Sequence, residues 1–197
     1  SLSSGYTGLE RAPEPMLVHL NSDFDWCIHR IVTNNFRDLE RFPYNVLLPT
    51  PEIVHLRHYL FVKPNYFLIW DVFEKAYEPS AFWLHPRQPV IEKYDNVFYA
   101  GLPDQPGLQI CFIKPEKPNV IENCQCGPFW NFAVQNGKDC SYLVVLIPQH
   151  GYDPVEVTMD TEKTVRIKWQ KIDDRILLPA PGSQTDLPVI VHSPNIT

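Results

Sequence analysis

The sequence predicts an all-β protein, an antiparallel β-sandwich of roughly ten strands in two stacked sheets. Three observations predict it. Twenty prolines against eight glycines in 197 residues interrupt the chain too often for long helices, because proline lacks the amide donor and clashes with the preceding turn. Between the prolines lie short runs rich in Val, Ile, Tyr, Phe and Trp, which fit a pleated, half-buried surface. No stretch shows a convincing amphipathic helical period, so stacked sheets are the packing that hides these strands.

Residues 1–15 are poor in periodicity and read as a leader segment. The opening SLSSGYTGLERAPEPM has no basic region followed by an apolar one, so no signal peptide is visible. It also lacks an initiator Met, which points to a processed or excised chain. The sandwich is expected over 16–178. Residues 179–197 read as a Pro-rich tail, ending in the formal glycosylation sequon Asn195-Ile196-Thr197.

The clearest strand pattern is HLRHYLFVKPNYFLIWDVF, residues 55–73. Val54, Leu56, His58, Leu60 and Val62 fall on one face, and His55, Arg57, Tyr59, Phe61 and Lys63 on the other. Pro64-Asn65 supplies turn chemistry. Tyr66–Phe73 then reads as the return strand, apolar on both faces and therefore central. With Pro64-Asn65 as the turn, paired positions sum to about 129, which sets Arg57 opposite Val72 and one diagonal step from Asp71.

Further strands are expected at Ala81–His85 and at Val90–Tyr94 and Val97–Ala100 around an Asp95-Asn96 turn. Leu108–Ile113 alternates, Phe129–Val134 does so more weakly, and Tyr142–Pro148 is a continuous apolar run suited to a strand buried on both sides. Val155–Met159, Thr164–Trp169 and Arg175–Leu178 close the domain, with Val165, Ile167 and Trp169 facing in and Thr164, Arg166 and Lys168 facing out.

Bulk properties exclude some functions. A formal charge of −6 argues against nucleic acid, which needs a basic surface. No run of eighteen apolar residues exists, so no membrane span is expected. The five cysteines are Cys27, Cys111, Cys124, Cys126 and Cys140. Cys124-Gln125-Cys126 lacks the two-residue spacing of a zinc knuckle. A disulfide from Cys124 or Cys126 to Cys140 is one option and reduced, buried thiols are the other.

Three constellations carry candidate chemistry. His55 and Arg57 share a face and together could hold a carboxylate, since Arg offers a fork and His a switchable donor; an exposed face without a role is the alternative. His58 points the other way and reads as a core histidine with one satisfied hydrogen bond. Asp71 stands in an otherwise apolar strand and needs a cation or donors there, with Arg57 the candidate partner, so it reads as a structural acid. His85, with Trp83 and Arg87 and the later Trp130 and Phe132, could stack on sugar rings and pair with acidic groups, although alternating aromatics are more often core. The substrate-binding candidates are therefore His55, Arg57, His85 and Arg87. There is no Gly-rich phosphate loop, no Gly-x-Ser-x-Gly, no His-Glu-x-x-His and no Cys-x-x-Cys. The seven histidines lack ligand spacing, so no metal, cofactor or catalytic residue is expected.

Arg57 followed by Phe61-Val62-Lys63-Pro64-Asn65-Tyr66-Phe67-Leu68-Ile69-Trp70-Asp71 resembles a stretch of the heparinase II/III-like polysaccharide lyases, in which an arginine-bearing strand leads into "fv-kP-yflv-D". Phe82-Trp83-Leu84-His85 is similar to the short strand ending in histidine that often follows there. The pair Thr164–Trp169 and Arg175–Leu178 resembles the close of the family's β-region. The likeness covers roughly residues 20–178 and rests on patterned strands.

Such lyases join an α/α toroid to a C-terminal antiparallel β-sandwich and cleave uronate-containing polysaccharides by β-elimination. The resemblance therefore implies a C-terminal sandwich module, non-catalytic by itself, that packs against an upstream α/α toroid and forms one wall of a cleft for an acidic polysaccharide. It also implies a secreted or periplasmic setting. The tyrosine and the Asn or His of the family's toroid come from upstream sequence, and no helical toroid, no His-x-His and no His-Asn-Thr is found in the first fifty residues here, so the fold carries over and no catalytic residue does. A free-standing carbohydrate-binding or adhesion module is the alternative.

Overall fold

The computed structural model describes residues 14–36, 48–74, 80–136 and 141–192. Cys140, the sequon and residues 1–13 of the expected leader lie outside the described residues. Every regular element described is a strand: β1 (Glu14–Leu20), β2 (Phe24–Phe36), β3 (Leu48–Val62), β4 (Tyr66–Glu74), β5 (Ala81–Leu84), β6 (Val90–Tyr94), β7 (Val97–Ala100), β8 (Pro106–Lys114), β9 (Asn119–Cys126), β10 (Phe129–Gln135), β11 (Tyr142–His150), β12 (Glu156–Thr161), β13 (Thr164–Trp169), β14 (Ile172–Leu177) and β15 (Val189–His192).

The all-β sandwich is thus present, but with fifteen described strands in three antiparallel sheets instead of roughly ten in two. An eight-stranded sheet runs β1-β2-β3-β4-β11-β8-β7-β6, a three-stranded sheet runs β5-β10-β9 and a four-stranded sheet runs β12-β13-β14-β15. The large sheet is the middle layer. One of its faces meets the four-stranded sheet in a core that includes Trp26, Leu60, Leu68, Trp70, Val145, Val165, Ile167 and Ile176. Its other face meets the three-stranded sheet around Phe82, Phe98, Phe112, Phe132, Tyr142 and Val144.

Strand β11 shows why its sequence is apolar throughout. Leu143, Val145 and Ile147 enter the first core while Tyr142, Val144 and Leu146 enter the second. A strand covered on both faces has no solvent face on which polar residues could alternate. Each large side chain fully buried in this way contributes about 1.5–3 kcal/mol relative to exposure.

The β3–β4 hairpin has the expected faces. Val54, Leu56, His58, Leu60 and Val62 are all buried. Its register differs by one from the expectation. The loop holds three residues, because Val62 pairs with Tyr66 and Asn65 N–H donates to the Val62 carbonyl at 2.7 Å. Arg57 consequently stands directly opposite Asp71, and not opposite Val72. Since side chains alternate with period two, this places the guanidinium and the carboxylate side by side on one face.

A tyrosine hydroxyl ties each outer layer to the middle one. Tyr66 of β4 donates to Asp174 Oδ2 of β14 at 2.8 Å. Tyr142 of β11 donates to the Ser80 carbonyl just before β5 and accepts the Asn136 N–H at 2.8 Å just after β10. In the stretch read as a tail, β15 adds to the edge of the four-stranded sheet, with Asp174 opposite His192.

Candidate functional site

The face of β3 opposite the first core carries the first candidate residues. Asp71 is 1% exposed and receives both arms of Arg57, Nε to Oδ1 and Nη2 to Oδ2, each at 2.7 Å. His55 Nε2 lies 3.0 Å from the same Oδ1, and its ring stacks on Phe73 at 4.3 Å between centroids. Burial by itself would raise the Asp71 pKa. The paired hydrogen bonds and the charge of Arg57, with the His55 ring close by, outweigh it and hold the acid below the ordinary carboxylate range. For Arg57, burial opposes the charge, but Asp71 prevails and the guanidinium is held charged more firmly than in water.

This node consumes most of what the two basic residues could offer a ligand. A guanidinium has five N–H donors in a fixed fork, and the carboxylate occupies one edge of it. The side chain of Arg57 is 29% exposed and its centre lies 5.7 Å from the Phe82 ring centroid. Arg57 can present only its remaining N–H groups outward, and His55 is held between Asp71 and Phe73.

His58 is on the other side, wholly buried between Trp26 and Trp70, with ring centroids 5.4 and 4.8 Å away. Its Nδ1 lies 3.1 Å from the Trp70 carbonyl, to which it donates. Burial lowers its pKa and outweighs the opposing hydrogen bond, so it stays neutral.

His85 and Arg87 do not join Arg57. Phe82 points into the second core and is 2% exposed, while Trp83 is 45% exposed on the outer surface of the three-stranded sheet. Past the end of β5, His85 turns to that outer surface too. Its Nδ1 lies 3.1 Å from Asn131 Oδ1 and its ring stacks with Trp83 at 6.2 Å. Asn131 Nδ2 donates to Glu122 Oε1 at 2.8 Å. Arg87 is exposed and takes no part in this network. Phe132 is core, and Trp130 is half-buried against the core with its indole N–H on Asn123 Oδ1. His55 and Arg57 therefore lie on one side of the three-stranded sheet and His85 on the other.

Sequence reasoning did not single out Asp174, Tyr66 or His192. Asp174 is 4% exposed and shares its face with Ile176. It takes the Tyr66 hydroxyl on Oδ2 and faces His192 Nδ1 at 2.7 Å on Oδ1. An acid two positions from a core isoleucine was the available signal. Asn131 and Glu122 were also missed; only their cross-strand placement relates them to His85.

Among the described residues, no three His, Cys, Asp or Glu side chains are grouped to hold a metal ion. Cys27, Cys111, Cys124 and Cys126 are free thiols.

No protein-family model and no curated protein matches the chain. Solved structures do. The heparan sulfate lyase HepC from Pedobacter heparinus is similar at 16% identity and a TM-score of 0.55, over 92% of this chain and 28% of that one. A heparinase III, the BT4657 gene product, is similar at 10% identity and a TM-score of 0.55, over 93% and 28%. A further heparinase III structure gives 9% identity and a TM-score of 0.51, over 93% and 27%. The likeness at these identities is one of fold: nearly all of this chain is folded as a region of these lyases, and it spans about 28% of their length.

Proposed function

We propose that this chain is the C-terminal β-sandwich region of a heparinase II/III-like polysaccharide lyase, non-catalytic by itself. In this reading it packs against an α/α toroid carried elsewhere in a longer protein and forms one wall of a cleft for an acidic, uronate-containing polysaccharide. The setting is secreted or periplasmic. β-Elimination needs a base for the C5 proton, a group that neutralises the carboxylate and an acid for the leaving oxygen; these come from the rest of the protein.

The observation that carries the reading is the fold likeness that takes up 92% of this chain but 28% of a heparan sulfate lyase. Two features support it. Arg57 and His55 are turned onto Asp71, an arrangement that stiffens a scaffold and ties up these two basic side chains. On the same side of the middle sheet, Val18, Leu20, Tyr59 and Phe67 are 55%, 69%, 37% and 38% exposed. Cross-strand register aligns Val18 with Cys27, Cys27 with Tyr59, and Phe61 with Phe67, so these side chains share one face. Large apolar side chains gathered on one exposed face suit a surface covered by a neighbour. Arg57, beside this face, is the cation that the wall offers to a polysaccharide.

Isothermal titration of the purified chain with heparan sulfate, chondroitin and alginate fragments tests the reading. Weak or absent binding is expected from a wall without its opposite side. A dissociation constant of about 1 μM or tighter would instead identify a self-sufficient binding or adhesion module.

A further inference from the structure

We propose that the outer face of the three-stranded sheet is a binding platform for a neutral pyranose, with Trp83 as the stacking surface and His85, Asn131 and Glu122 as its polar rim. This inference goes beyond the lyase reading and does not need it, because the platform lies on the far side of that sheet from the Arg57 row.

The register builds the platform. Trp83 of β5 is opposite Ala133 of β10, which is opposite Glu122 of β9. A flat indole, a small residue and a carboxylate thus follow one another across three strands. In the adjoining row Asn131 is opposite Cys124, and His85 reaches Asn131 from the end of β5. Trp83 is 45% exposed, although an indole of this size is normally largely hidden. Its ring is braced by the His85 imidazole at 6.2 Å and an interplanar angle of 22°.

The hydrogen bonds fix what the rim offers. Asn131 donates its amide to Glu122 Oε1 at 2.8 Å, so its carbonyl oxygen faces His85 Nδ1 at 3.1 Å. That oxygen can only accept, so the His85 Nδ1 is the donor of this contact. Glu122 keeps Oε2. The platform therefore sets the free Glu122 oxygen as an acceptor, the outer edge of the His85 imidazole and the Trp83 N–H donor around an apolar ring. A pyranose with equatorial hydroxyls complements this: its axial C–H groups cover the indole and its hydroxyls donate outward. The charge built into the row is a carboxylate, which repels uronate and sulfate. The ligand class is accordingly a neutral, β-linked glucose- or xylose-type chain.

Titration with cellohexaose and xylohexaose, beside a heparin hexasaccharide, tests the assignment. The expected result is millimolar or tighter binding of at least one neutral probe and none of the heparin probe at this face. Trp83→Ala should weaken binding roughly tenfold or more, with Trp83→Phe between the two. Oxidation of Trp83 by N-bromosuccinimide, read by mass spectrometry on the unaltered chain, should slow when that neutral probe is present. This second readout stands even if the alanine variant does not fold. Absence of neutral binding, neutral binding indifferent to Trp83, unprotected Trp83, or heparin binding lost in Trp83→Ala each overturns the proposal. None of these results bears on whether the opposite face belongs to a lyase.

Discussion

Arg57 holds Asp71 in a two-armed grip, with both N–H···O distances at 2.7 Å, directly across the β3–β4 ladder. The two partners are unequally buried, at 29% and 1% side-chain exposure. That inequality decides what each substitution does.

Arg57→Ala strands a carboxylate with little access to water, and should destabilise by about 3–5 kcal/mol. Asp71→Ala leaves a guanidinium that can turn outward, and should cost about 1–3 kcal/mol. Urea unfolding of both variants checks the order; equal costs would show that burial does not control the pair. The pH dependence has a definite sign. The folded pKa of Asp71 lies below its unfolded value, so its contribution is complete above about pH 4 and is lost as pH falls through the lower, folded value. Asp71→Asn should remove that part of the acid limb.

His58 predicts a second pH effect, at higher pH. Its folded pKa is lowered by burial between Trp26 and Trp70. The unfolded chain therefore binds more protons just below pH 6.5, and stability rises with pH up to that point. His58→Phe should flatten the urea midpoint between pH 5 and pH 7.5. An unchanged slope would mean that His58 is not the group responsible.

Tyr66→Phe removes the hydroxyl that joins the middle sheet to the four-stranded sheet through Asp174. His192 still faces the other oxygen of that acid, so the loss should be about 1–2 kcal/mol and not the full cost of an orphaned acid. A double-mutant cycle with His192→Ala should show coupling between the two sites. Simple additivity would deny that they share Asp174.

The thiols should separate by accessibility. Cys124 and Cys126 are exposed on β9, whereas Cys111 is buried and burial pushes its pKa up to about 11. A chromogenic disulfide reagent should label Cys124 and Cys126 in the native chain and Cys111 only after denaturation. Native labelling of Cys111 would mean that the core around it opens readily.

Much of this arrangement was legible in the sequence wherever one face of a strand is buried. Alternation over Val54–Val62 gave the inward side of β3, and the unbroken apolar run after Tyr142 gave the doubly covered β11. Strand β2 was legible but overlooked: Trp26 and Ile28 alternate with Cys27 and His29, and both are wholly buried. Strand β9 was not legible. It is an edge strand whose residues are mostly exposed, so backbone pairing rather than side-chain burial defines it. The register of the hairpin was off by one because Pro-Asn was read as a two-residue turn, while the loop also takes in Lys63. The distance between the His85 group and the Arg57 row has a related cause. Alternation places His85 beyond the outward Trp83 and Phe82 toward Arg57, but which way β5 faces depends on the stacking of sheets, which no local pattern encodes.

In the proposed reading these layers support chemistry done elsewhere and do none themselves. Absorbance near 232 nm, which follows the unsaturated product of β-elimination, measures this most directly with the purified chain and heparan sulfate, chondroitin sulfate or alginate. A flat trace is expected with every substrate. A rise that disappears in His55→Ala would contradict it, because the imidazole held against Asp71 would then be a working base.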